Sequence, residues 1–139
     1  MSPRYLLDTN ALSEPVKAFP NPGVMRRFQA HREQIVTAAP AWNELLYGCY
    51  RLPASKRRDI LEEYLFEALG PSLTVLPYDS LAADHHAAER ARLGLLGRTP
   101  SFVDGQIAAV AQVHDLVLIT RNVADFSDFQ GLQVEDWTE

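Results

Sequence analysis

Short continuous apolar runs alternate with longer stretches in which apolar residues recur at three- and four-residue spacing, so the chain reads as strands alternating with helices. Arg4 to Leu7 is the first predicted strand, and Thr9 and Asn10 then supply an N-cap for a brief helix that Pro15 limits. Pro22, at a first-turn position, opens a helix through about Glu33, and Gln34 to Thr37 is a second short strand. A longer helix runs from Pro40 to about Leu52. Trp42, Leu45, Leu46 and Cys49 form its apolar side, and Glu44, Tyr47 and Gly48 lie together on a neighbouring face.

Pro53 breaks this helix and Ser55 caps the next, in which Ile60, Leu61, Tyr64, Leu65 and Leu69 keep helical spacing until Gly70-Pro71 ends it. Leu73 to Leu76 is a third strand. Ser80 is the expected cap of a helix reaching Leu96, and Gly97-Arg98-Thr99-Pro100 is the loop before Asp104. Ile107, Ala108 and Ala111 share the face of Asp104, small residues that let a helix lie close on a sheet with its acid at the rim. Leu116 to Thr120 is an uninterrupted strand of the kind buried on both faces, and Leu132 to Val134 is a candidate edge strand. Strands alternating with helices imply an α/β fold with a mostly parallel sheet.

With 139 residues, 47% of them hydrophobic, the chain has apolar material for a real core, and no Gly/Ser-rich or single-sign stretch marks a linker. One domain over residues 1–139 is expected. The single cysteine, Cys49, has no partner for an internal disulfide and fits a reducing compartment. The apolar run near the start is too short for a signal segment, and no stretch approaches the ~20 apolar residues of a membrane span, so a soluble, cytoplasmic protein is expected. A net charge of -5, from 13 basic and 18 acidic residues, argues against holding nucleic acid by a broad basic surface. It leaves room for a metal-dependent nuclease, because bound cations restore the local attraction for phosphate. The small basic groups at Arg26-Arg27, Lys56-Arg57-Arg58, Arg90, Arg92, Arg98 and Arg121 are read mainly as solvated helix faces.

Candidate chemistry concentrates in four acids. Asp8, Glu44, Asp104 and Asp125 each sit where a predicted strand ends or a helix begins, and in an open α/β sheet ligands bind at the carboxyl ends of the strands. Singly, each has a plain structural explanation: Asp104 suits a first helical turn, Asp8 and Asp125 suit turns, and Glu44 suits a solvated helix face. Gathered at one sheet edge they would repel strongly unless a cation neutralised them, and hard divalent cations take carboxylate ligands. His85 and His86 point different ways from one helix while His31 and His114 stand alone, so surface histidines are expected rather than a zinc site. Cys49 reads as a small core residue, and neither a phosphate-binding glycine-rich loop nor a dinucleotide fingerprint appears.

The segments Leu6-Leu7-Asp8-Thr9-Asn10-Ala11-Leu12-Ser13-Glu14, Trp42-Asn43-Glu44-Leu45-Leu46-Tyr47-Gly48, Asp104-Gly105-Gln106-Ile107-Ala108-Ala109 and Thr120-Arg121-Asn122-Val123-Ala124-Asp125-Phe126 resemble the ordered signature of PIN-domain proteins, most closely VapC-type toxin ribonucleases. The resemblance implies a three-layer fold with a mostly parallel sheet in the order 3-2-1-4-5, usually dimeric, cleaving RNA with Mg²⁺ or Mn²⁺. It implies that Asp8, Glu44 and Asp104 are the principal acids, with the fourth position at Asp125 or Asn122. Thr9 and Asn10 match polar residues that steady the site. It also implies a small cognate antitoxin that suppresses the protein, for which Val24, Phe28, Tyr64 and Phe66 look like exposed apolar anchors.

Hydrolysis of a phosphodiester asks for an activated water, a neutralised phosphorane-like charge and a stabilised leaving oxygen, which hard cations supply. Mg²⁺ keeps several waters and needs one or two carboxylates, so Asp8 and Asp104 are expected as direct ligands, with Glu44 and Asp125 direct or acting through water. Thr120 or Asn122 is placed to hold a water or phosphate oxygen. Three rivals compete. An aspartyl-phosphate phosphatase would use Asp8 as nucleophile but would carry a second acid where this chain has Asn10. A receiver domain would use Asp79 but lacks the doubled acid after the first strand. A catalytically silent PIN-like binding module keeps the fold alone.

Overall fold

The computed structural model describes residues 2–139. Five short strands are placed: β1 (Tyr5–Leu7), β2 (Ile35–Ala38), β3 (Thr74–Leu76), β4 (Val117–Ile119) and β5 (Val134–Glu135). They form one sheet in the order β3-β2-β1-β4-β5, and every pairing is parallel. Parallel neighbours need crossovers, and six helices make them: α1 (Thr9–Leu12), α2 (Pro22–Ala30), α3 (Ala39–Tyr50), α4 (Lys56–Glu63), α5 (Ser80–Leu95) and α6 (Phe102–Val113). The expected α/β class, sheet order and helical layers are all observed. The tail strand is also present, shifted to Val134–Glu135 and hydrogen-bonded to β4, with Leu118 N–H donating to Gln133 O at 2.9 Å.

Successive strand residues point to opposite faces, and the sequence supplies apolar side chains for both. Leu6, Val36 and Leu118 pack on one side with Ala82 and Leu93 of α5 and the run Ile107 to Ala111 of α6. Tyr5, Leu7, Ile35, Val117 and Ile119 pack on the other with Val24 of α2, Leu45 and Cys49 of α3, and Leu65 and Leu69 beyond α4. Fully burying such a side chain contributes roughly 1.5–3 kcal/mol, so the two clusters together hold the sheet as the middle of three layers.

Local details depart from expectation where a side chain reaches further than periodicity shows. Asp8, rather than Thr9 or Asn10, caps α1, its Oδ1 accepting from Ala11 N–H at 2.9 Å. Asp79, rather than Ser80, caps α5 and accepts from Ala82 N–H at 3.0 Å, a structural duty for the one acid a receiver domain would phosphorylate. The helix expected from Pro22 to Glu33 ends at Ala30 and is followed by a tight 3₁₀ turn, Arg32–Gln34. The Ser55 cap is observed, and its helix continues past α4 as a wide π turn over Tyr64–Leu69.

Candidate metal centre

The pairing register decides which residues meet. Leu7 of β1 lies beside Ile119 of β4, so the next residues, Asp8 and Thr120, emerge together at the carboxyl edge of the sheet. Asp8 N–H donates to Ile119 O at 3.1 Å, and Thr37 Oγ1 donates to Leu7 O at 2.8 Å, fixing β1's exit from both sides. Asp8 is 7% exposed, and burial pushes its carboxyl above the ordinary carboxylate range. The Thr120 hydroxyl, the Ala11 N–H and the positive charge of Lys17 oppose that rise. Thr120 Oγ1 in turn accepts from Asn122 N–H at 3.0 Å, which sets the loop after β4.

Asp104 arrives from the other layer. Ser101 caps α6 by accepting from Asp104 N–H at 3.1 Å, placing the carboxyl in the first helical turn, half-buried at the rim. Its pKa is raised by burial first, with the Ser101 hydroxyl opposing, and the negative charges of Asp125 and Asp8 raise it further. Those two carboxylates therefore face Asp104 closely enough for charge to be felt. Asp125 sits on the 3₁₀ turn Val123–Phe126, whose buried Phe126 anchors the turn in the core while the acid stays exposed. Asn122 precedes that turn with an exposed side chain.

Glu44 is exposed on α3 and lines a shallow depression of about 370 Å³ with Asn43, Tyr78, Val103 and Gln106. It faces the first turns of α6 from across that depression. Among the described residues, no group of three or more histidine, cysteine, aspartate or glutamate side chains stands close enough to hold a metal ion unaided. The donor chemistry fits a small hard cation that completes its shell with water: two raised carboxyls, Asp8 and Asp104, with the Asp125 charge felt at Asp104 and Glu44 across the depression. Thr9 Oγ1 donates to Ala41 O at 3.3 Å, tying α1 to α3, and Asn10 is exposed beside the site.

The model of the PIN domain matches residues 5–132, from the first residue of β1 to just before the last strand. The chain belongs to the PIN-domain family. Among relatives of this PIN domain, the VapC ribonuclease Y4jK of Sinorhizobium fredii is 35% identical over 93% of this chain and 94% of its own. The tRNA(fMet)-specific endonuclease VapC of Shigella flexneri is 30% identical over 97% of this chain and 98% of its own. The crystal structure of DNA-bound VapBC from Salmonella typhimurium contains a chain that superposes with a TM-score of 0.84 at 30% identity, covering 97% of this chain and 98% of that one. VapBC is described as a family of toxin-antitoxin systems.

Two buried polar residues of this PIN domain lie outside the core expected from the sequence. Glu14, 2% exposed, looks like a solvent turn before Pro15, and no spacing rule marks it as internal. His86 corrects the expectation of surface histidines: it is 2% exposed, its Nδ1 lies 2.8 Å from Tyr78 Oη, and its ring edge meets Phe102. A signal for it existed. Ala82, His86, Glu89 and Leu93, the buried residues of α5, are spaced four, three and four apart, which is one helical stripe. Among the four residues expected to be exposed anchors, Val24 is instead core at 4% exposure, while Phe28 and Tyr64 line an apolar groove and Phe66 stacks on Tyr50.

Proposed function

We propose that this chain is the ribonuclease toxin of a toxin–antitoxin pair, hydrolysing RNA phosphodiester bonds with Mg²⁺ or Mn²⁺. The observation that carries the reading is the approach of Asp8 and Asp104 from separate elements to one sheet edge, where burial disfavours the ionised form of both and the charges of Asp125 and Asp8 add to the penalty on Asp104. A divalent cation relieves both penalties. When bound, it supplies a more acidic water and neutralises charge on the phosphoryl group. Asp8 and Asp104 are the direct ligands. Asp125, on a turn anchored in the core by Phe126, takes the fourth position in preference to Asn122, and it acts with Glu44 through bound water. Of Thr120 and Asn122, the exposed Asn122 orients a water or a phosphate oxygen, while Thr120, buried with its hydroxyl turned to Asp8 and accepting from Asn122 N–H, steadies that carboxylate. The substrate class is single-stranded or loop RNA, whose bases are open to contact. Names of relatives, VapC ribonuclease and tRNA(fMet)-specific endonuclease, support the same chemistry.

The partner is a small antitoxin seated in the groove of about 250 Å³ between α2 and the π turn, lined by Met25, Phe28, Tyr64, Ala68 and Leu69. Its walls are apolar with Arg32 and Gln29 at the rim, the layout of a groove for an amphipathic segment. A homodimer completes the proposal, and sedimentation of the purified protein measures it. The decisive experiment incubates purified protein with total RNA. Cleavage that requires Mg²⁺ or Mn²⁺, stops in EDTA and is lost in Asp104→Asn is expected. Undiminished cleavage in EDTA overturns the metal mechanism, and no cleavage under any condition favours the silent binding module.

A further inference from the structure

Glu14 lies inside the protein at 2% exposure, in the tight turn Glu14–Val16 that follows α1. Its Oε2 makes no hydrogen bond of proper geometry and is held by charge alone, with Lys17 Nζ at 2.9 Å. The turn's backbone repeats the link, Lys17 N–H donating to Glu14 O at 3.1 Å. Lys17 is thus fixed at both ends while its side chain remains 33% exposed. An ammonium has three donors, and the charge contact with Glu14 leaves donors available to a ligand. Lys17 borders the same narrow opening as Asn10, Thr120, Arg121 and Asp136, and the Asp8 carboxyl feels its positive charge.

Several other basic side chains are engaged away from this edge. Arg26 pairs with Glu139, Arg58 with Glu62, Arg92 with Glu89 and Arg98 with Asp128, while Arg90 lies over the Phe102 ring at 4.7 Å. In a protein of net charge -5, a substrate polyanion needs fixed positive charge at the carboxylate edge, and Lys17 with Arg121 supplies it. We infer that Lys17, positioned by the buried carboxylate of Glu14, binds a phosphate of the RNA beside the scissile position. Glu14 is then a positioning residue that never touches substrate. The inference rests on the ribonuclease reading above.

The plain structural alternative is that Lys17 serves only to neutralise Glu14, and a paired substitution separates the two. Lys17→Met leaves Glu14 buried and uncompensated, so the melting temperature falls; adding Glu14→Gln removes the stranded charge and restores it. Binding of a fluorescent single-stranded oligoribonucleotide is followed by anisotropy against salt, every protein carrying Asp104→Asn so that the probe survives, and cleavage is measured without that change. In the stable double variant, the slope of log affinity against log salt is expected to shrink by about 0.7, the value of one phosphate contact on a single strand. KM is expected to rise several-fold. Lys17→Arg keeps both the slope and the cleavage. A double variant that binds with the wild-type salt slope and cleaves like wild type overturns the inference and leaves the nuclease reading standing. A wild-type protein that neither binds nor cleaves RNA overturns both.

Discussion

Asp8 carries two duties that pull in opposite directions. As the cap of α1 it accepts from Ala11 N–H at 2.9 Å, and as a buried acid its charged form is penalised by lost solvation. Asparagine caps a helix about as well as aspartate, so Asp8→Asn keeps the first duty and removes the penalty. The expected outcome is a melting temperature of the metal-free protein raised by a few degrees, on the order of 1 kcal/mol, with cleavage reduced on the order of 100-fold or more. Calorimetry and an RNA cleavage assay check the two halves. The sign of the pH effect follows from the direction of the shifts. Asp8 and Asp104 both lie above their ordinary value of 3.8 in the folded state, so the native protein binds more protons than the unfolded chain between 3.8 and the raised values. Metal-free stability therefore falls as pH rises through that window, and the difference in melting temperature between wild type and Asp8→Asn should vanish toward its acid end. Metal affinity moves the opposite way. Titration with Mn²⁺ at successive pH values should weaken on acidification, starting above the range of an ordinary carboxylate.

At the scale of elements, the packing of α5 on α6 decides where Asp104 sits. Gly105, next to Asp104, lies directly against the His86 ring, and a methyl group there would fall inside contact distance of His86 Nε2. His86 is held in turn by Tyr78 and by the edge of Phe102, so the ring has little room to yield. Gly105→Ala should cost about 1–3 kcal/mol through overpacking, seen as a lower denaturation midpoint, and should weaken metal binding by moving the helix that carries Asp104. Burial also lowers the His86 pKa below its ordinary 6.5, with the charges of Arg90 and His85 acting in the same direction. The unfolded chain then takes up a proton more readily, so this contribution to stability is complete above pH 6.5 and is lost as pH falls below it. Elsewhere α5 is tied to the C-terminal region by Glu89, which accepts from Gln130 N–H at 3.1 Å, and by Arg92, which donates to Asp128 O at 2.8 Å.

For the whole molecule, the proposal puts cleavage and inhibition on different surfaces. The carboxylates stand at the sheet edge, while the proposed antitoxin groove is built by α2 and the π turn. Ala68 is exposed within that groove, so Ala68→Arg fills it without touching the core. The expected result is antitoxin affinity weakened at least about tenfold by calorimetric titration, with cleavage unchanged and growth arrest no longer relieved by co-expression. Loss of cleavage in the same variant would show that the two surfaces are linked.

Periodicity and turn chemistry alone determine most of this fold: the strand–helix alternation, the Ser55 cap, and the apolar β4 buried on both faces all follow from local spacing. The order of the four acids along the chain, read with its neighbours, was also enough to point to a PIN domain. Three things were decided only by tertiary structure. Which side chain caps α1 and α5 depends on where an acid's oxygen lands in space, and one residue's shift in sequence is invisible to a hydrophobic pattern. The closeness of Asp8 and Thr120 comes from the register of β1 on β4, a pairing between residues more than a hundred positions apart. The burial of Glu14 depends on what packs over it from other elements, and no spacing rule says whether water or protein will surround a polar residue in a turn.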